Sequence, residues 1–230
     1  MKTRKTPSPP RKRSGDRRDP DATRRALLAA AAALFAERGF DGVSVEDVAE
    51  RAQVNKALIS YHFGGKRALY VAVLESGFAE MADRLTVIEG ESGDAREVLH
   101  RLIQAFAAMT RERPDFPVLF VREAVSVGIE PAVMPHLVRV MGITRRLAER
   151  GVREGVFRPV DPRLLHLGLV GTLAFYFGTE HAREKARAEG YLPFALPSTR
   201  AFLRHLEELT VRGLAPSPSP RKKDRKGARR

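Results

Sequence analysis

Hydrophobic positions recur at helical spacing through most of this 230-residue chain, and no stretch alternates for the length of a strand. Residues 21–38 are Ala-rich and set Leu27, Leu28, Ala31, Leu34 and Phe35 on one stripe, which predicts a helix that packs by a single face. Gly39-Phe40-Asp41-Gly42 supplies a turn. Ser44, with Asp47 three residues on, has the form of a helix cap, and Val45, Val48, Ala49 and Ala52 continue at helical spacing. Gln53-Val54 breaks that pattern. Asn55 then opens a second short run through Ala57, Leu58, Ile59 and Phe63, which Gly64-Gly65 ends. A linking helix follows Lys66 and is expected to reach about Thr86. Further helices are predicted over residues 94–111, 116–127, 133–154, 162–189 and 198–211, each break falling at Pro or Gly. The expected fold is all-α, about nine helices, without internal repeats.

Between Ser44 and Lys66 this pattern gives two short helices joined by a tight turn, a shape that fits the major groove of DNA. The order of a supporting helix, the Gly-Phe-Asp-Gly turn, the Ser-capped helix, the turn before Asn55, a short helix carrying Tyr61-His62-Phe63, Gly64-Gly65 and Lys66 resembles the DNA-binding domain of the tetracycline-repressor (TetR) family, over about residues 23–74. Three positions depart from the family pattern. Gln53 stands where glycine is usual, a turn conformation it adopts at modest strain. Ser60 and His62 stand where tyrosine is usual, which removes a large contact surface at Ser60.

The resemblance implies particular roles on the short helix. Lys56, Ala57, Leu58, Ser60 and Tyr61 are expected to face the groove: Lys56 toward guanine acceptors or phosphate, Ala57 and Leu58 toward thymine methyls, Ser60 as donor or acceptor. Tyr61, His62 and Lys66 read as backbone clamps, and Ser44 and Asn55 as contacts at helix starts. Ile59 and Phe63 fall on the opposite side and should be core. For His62, packing and phosphate contact compete.

Composition narrows the remaining classes. The absence of cysteine excludes a disulfide framework, thiolate catalysis and cysteine-based zinc sites, and suits a reducing cytoplasm, the expected location. The first twenty residues are basic but lack the apolar core of a secretory leader. The longest apolar stretch, residues 164–177, is shorter than the roughly 18–20 residues that a membrane span needs and carries His166, so no membrane association is expected. No Gly-rich phosphate loop, Gly-x-Ser-x-Gly, zinc-spaced histidine pair or thiol nucleophile is present, and the adjacent Glu207 and Glu208 would point about 100° apart on a helix. Neither enzymatic activity, nor a cofactor, nor a metal is expected.

The net charge of +13 is unevenly distributed: residues 1–19 carry +6, residues 214–230 carry +6, and the body is close to neutral. Both tails, rich in Pro, Ser, Arg and Lys, are expected to be disordered. They either add sequence-independent phosphate contacts or serve as solubilising extensions. The expected organisation is a basic tail at 1–19, a DNA-binding domain at 20–74, a ligand-binding and dimerisation domain at 75–213, and a second basic tail at 214–230.

Residues 164–178 are apolar almost all round and interrupted by Gly168, Gly171 and Gly178, although each mid-helix glycine costs about 1 kcal/mol relative to alanine. Close approach of another helix accounts for them, either within one chain or from a second copy. By the resemblance, this helix and the last one form a four-helix dimer interface, with Gly168, Gly171, Phe175, Phe202 and Leu206 at the contact. The resemblance also implies a small, often apolar effector between the helices. Phe106, Met109, Phe120, Met134, Met141, Phe175 and Tyr176 are candidates to line that pocket, or else to fill a core. His100, His136 and His166 read as packed or surface residues. The expected function is that of a homodimeric, ligand-responsive transcription regulator, a repressor at a palindromic double-stranded DNA operator. The competing reading is a protein that coats DNA without sequence choice through its basic tails.

Overall fold

The computed structural model describes residues 19–125 and 129–216, so the expected disorder of both basic tails lies outside the described residues except at their inner ends. Within that range the chain forms ten α-helices and a single 3-10 turn. In order they are α1 (Pro20–Arg38), α2 (Val45–Arg51), α3 (Ala57–Phe63), α4 (Lys66–Glu89), α5 (Ala95–Glu112), α6 (Asp115–Val125), α7 (Met134–Arg153), α8 (Pro162–Gly178), α9 (Glu180–Ala188) and α10 (Thr199–Leu214), with the 3-10 turn at Pro131–Val133. The fold is all-α, as the periodicity predicts.

Caps set most of these boundaries. Asp19, Asp94, Asp161 and Ser198 each accept a backbone N–H in the first turn of the helix that follows. At α5 the cap is reciprocal, because the Glu97 side chain accepts the Asp94 N–H in return. Arg163 donates to both carboxylate oxygens of Asp161 and, with its backbone N–H, holds that carboxyl down to a pKa of about 2.

Two predicted helices end early, since α4 runs on to Glu89 and α10 to Leu214, a buried residue within the expected basic tail; a third boundary differs in kind. Residues 162–189 read as one helix, but the structure breaks it at Thr179 into α8 and α9. The cause is tertiary. At Gly178 a side-chain carbon would stand 2.6 Å from Val121 and 2.7 Å from the Pro117 carbonyl, so α6 and α8 meet there too closely for any other residue. The following charged run then leaves the body as α9, which buries no residue fully.

Helix α4 joins the two halves of the molecule. Its first turns bury Leu69 and Tyr70 against α1, and its later turns bury Phe78, Met81 and Leu85 among α5, α6 and α7. The larger half is centred on aromatic side chains. Phe78 lies 5.2 Å from both Phe116 and Phe120, and Phe106 lies 6.2 Å from Phe177. Helix α8 buries Leu165, Leu169, Leu173 and Phe177, and α10 packs on α5 through Leu203 and Leu206. Among the described residues no helix is long and apolar enough to cross a membrane.

Candidate nucleic-acid interface

Helix α2 begins in a capping box. The Ser44 hydroxyl accepts the Asp47 N–H at 3.0 Å, and an Asp47 carboxylate oxygen accepts the Ser44 N–H at 2.7 Å and its hydroxyl at 2.6 Å. These hydrogen bonds from Ser44, hydroxyl first, hold the Asp47 carboxyl below its ordinary value. The Ser44 hydroxyl, expected to meet phosphate, is therefore engaged at the helix start. The turn that follows passes through Gln53 at φ 54°, the one non-glycine residue in the left-handed region among those described.

Asn55 performs the capping its position predicts: its side-chain oxygen accepts the Ala57 N–H at 2.8 Å. Helix α3 then turns Ile59 wholly inward, while Phe63 lies half-buried with the Arg24 guanidinium 5.2 Å from its ring. Gly64 ends the helix at φ 82°, donating to the Ser60 carbonyl at 2.9 Å. What remains outward is Asn55, Lys56, Ala57, Ser60 and Tyr61, the last 80% exposed. Leu58 is half-buried against the core, and His62 is half-buried with its ring 5.0 Å from that of Tyr61. Lys66, at the start of α4, holds its ammonium 4.3 Å from the Phe40 ring centroid.

One contact on this face carried no sequence signal. The Lys56 ammonium lies 2.9 Å from the Glu46 carboxylate on α2 and lowers its pKa, chiefly through the hydrogen bond. Ten residues separate the pair in sequence, and only the angle between α2 and α3 brings them together.

The N-terminal helices are tied to the larger half through α6 and Glu130. Arg122 donates to the Phe35 carbonyl at the end of α1, at 2.6 Å. Buried Glu123 accepts the Tyr70 hydroxyl at 3.2 Å and the Glu130 N–H at 2.6 Å, and the Glu130 carboxylate pairs with Arg67. Burial, reinforced by the Glu123 charge, pushes the Tyr70 phenol up to about 12. Tyr70 in turn packs edge-on against Phe35 and Phe40 at 5.1 and 5.2 Å. Sequence reasoning did not single out Arg122, Glu123 or Tyr70, because the Tyr70–Glu123 and Arg122–Phe35 hydrogen bonds join residues 53 and 87 positions apart.

The residues expected around an effector are distributed over several places. Phe106 and Met109 are buried, and Phe120 belongs to the Phe78–Phe116 cluster. Met134 and Met141 are exposed on α7, and Phe175 is 65% exposed on α8. Tyr176 stacks on Phe202 of α10 at 3.6 Å. Phe175 and Tyr176 share a groove of about 1050 Å³ between α8, α9 and α10. Of the residues expected at a dimer contact, Gly168 and Gly171 face open space, Phe202 is half-buried, and Leu206 is already buried in its own chain, while Leu209 is exposed on α10. Of the histidines, His100 meets Glu207 at 2.8 Å and His166 meets the Thr144 hydroxyl at 3.2 Å, where burial lowers the His166 pKa.

A capped pair of short helices, with one face in the core and the other bare on the second helix, defines a helix-turn-helix DNA-binding regulator. Comparison with known proteins agrees. Residues 27–73 match the bacterial regulatory proteins of the tetR family, and residues 96–188 match a tetracyclin repressor-like C-terminal domain. The chain is 26% identical to the HTH-type transcriptional repressor NicS of Pseudomonas putida, covering 84% of this chain and 93% of that protein. It is 31% identical to the HTH-type transcriptional repressor SCO4008 of Streptomyces coelicolor, over 59% of this chain and 69% of that protein. Its fold resembles FadR of Bacillus subtilis, solved in complex with stearoyl-CoA, with a TM-score of 0.68 at 18% identity, covering 83% of this chain and 98% of that one. The chain belongs to the TetR family of transcriptional regulators.

Proposed function

We propose that this regulator is a repressor that binds a palindromic operator as a homodimer and leaves it when a small, apolar effector binds the larger domain. The observation that carries the DNA reading is α3 itself: Ile59 is fully buried while Ala57, Ser60 and Tyr61 stand outward, so the core fixes which side chains a duplex would meet. A dimer is supported by α8, where Leu164, Gly168, Gly171 and Phe175 follow a four-three-four spacing on one exposed face, with Leu209 exposed on α10. Two-fold symmetry would present two copies of α3 about one helical turn apart, roughly 34–36 Å. Repression is supported by the repressors NicS and SCO4008 among the relatives.

Release requires that the effector bind one spacing of the two readers more tightly than the other. The ties from Arg122, Glu123 and Glu130 to α1 and α4 supply a physical route by which a shift of α6 would reach the readers. Competition binding tests the whole reading. One DNA sequence should be preferred over bulk DNA by orders of magnitude. Equal affinity for all sequences would replace it with a DNA-coating protein.

A further inference from the structure

The groove between α8, α9 and α10 opens on the same surface as the proposed dimer contact. Its α8 wall is made by Leu167, Gly171 and Phe175, and of these Gly171 and Phe175 also belong to the exposed seam described above. Its floor is the Tyr176–Phe202 stack, nearly parallel at 4°, with the Arg183 guanidinium 4.4 Å from the Tyr176 ring centroid. The segment bearing Ala195, Leu196 and Pro197 forms the far wall. Side chains of α9, Glu180 and Glu184 with Arg183 and Arg187, bring both signs of charge to the groove lining.

The centre of the larger half offers no comparable opening at its aromatic residues. Phe78, Phe116 and Phe120 are in mutual ring contact, and a side-chain carbon at Gly77 would stand 2.4 Å from the Phe116 ring. A ligand placed there would have to displace packed rings. The groove needs no such displacement.

We propose that this groove is the effector site, that a second copy of the chain closes it, and that it takes an apolar, ring-bearing molecule with a polar end. The inference rests on the α8 and α10 dimer reading. The aromatic floor and the open side of Phe175 suit a flat apolar ring, and the mixed acid and guanidinium groups offer both acceptors and donors to a polar end. Because the partner supplies the missing wall, the ligand binds the dimer and not the separated chain. Ligand binding and dimerisation are then linked, each strengthening the other.

The test uses the full chain and the neutral fluorophore N-phenyl-naphthylamine as probe. Dye binding and the dimer dissociation constant are measured together by fluorescence and analytical ultracentrifugation, over dilutions from micromolar to nanomolar protein. The expected result is saturable binding of one dye per chain in the dimer. Dye at ten times its dissociation constant should tighten the dimer about ten-fold per site. Dye affinity should fall at least ten-fold on dilution to monomer, or in Leu164→Glu, and should be lost in Ala195→Trp, which fills the groove. A monomer that binds dye as well as the dimer, a dimer that binds none, or binding that leaves the dimer constant unchanged would overturn the shared site. A chain that is monomeric at micromolar concentration without dye would instead remove the dimer reading, and this inference with it.

Discussion

We propose that Lys56 exchanges the Glu46 carboxylate, 2.9 Å away, for a base or phosphate when the protein binds its operator. DNA must displace an exposed ion pair that is worth little in itself. Glu46→Gln should therefore raise operator affinity several-fold at low salt, with the gain shrinking as salt screens the pair, measured by fluorescence anisotropy. Lys56→Ala should alter base preference at one position by about 1–3 kcal/mol, whereas Lys66→Ala should weaken all sequences alike and reduce the salt slope by about one. Asp47 gives a pH signature at the same scale. Its carboxyl is held below the ordinary 3.8 by the Ser44 hydroxyl, so the stability it contributes is present above that value and lost as the pH falls through the lower folded one. Asp47→Asn should flatten this acid branch of the unfolding curve, read by circular dichroism. The inward side of α3 was legible from spacing, with Ile59 as core, and the outward Ala57, Ser60 and Tyr61 from the family resemblance. The half-burial of Leu58 and the Lys56–Glu46 pair were not, since both depend on how α3 crosses its neighbours.

Helix boundaries were legible where a local cap sets them and obscure where tertiary packing does. Ser44, Asn55, Asp94 and Ser198 announce their helices in sequence and cap them in the structure. The break at Thr179 has no such local mark, because the glycine before it serves contact with α6 and not chain reversal. Two glycines thus do different work, and alanine separates them. At Gly64 the added carbon meets nothing within 4 Å but the backbone is left-handed at φ 82°, so Gly64→Ala should cost about 1–2 kcal/mol of strain. At Gly178 the backbone is helical but the space is filled, so Gly178→Ala should cost about 1–3 kcal/mol by forcing α6 and α8 apart. Chemical denaturation checks both. Only Gly178→Ala should also disturb near-ultraviolet signals from the aromatic core.

The molecule as a whole is a small DNA reader fastened to a larger helical body by α4 and by the side chains of α6, an arrangement suited to passing a shift in the body to the reader. Under the proposed function, its outer apolar face on α8 and α10, its groove and its reader would be the parts of a symmetric regulator. The basic tails belong to this scale too. If they touch phosphate, deletion of residues 1–19 should reduce the slope of log affinity against log salt by about 0.9 for each phosphate that the tail neutralises; an unchanged slope would leave them as solubilising extensions. The most direct measurement selects fragments of genomic DNA bound by the purified full chain and maps the protected bases. A repressor of this design should recover one family of sites, each an inverted repeat whose halves lie about one helical turn apart. Recovery of fragments with no shared sequence, or of sites without two-fold symmetry, would contradict it.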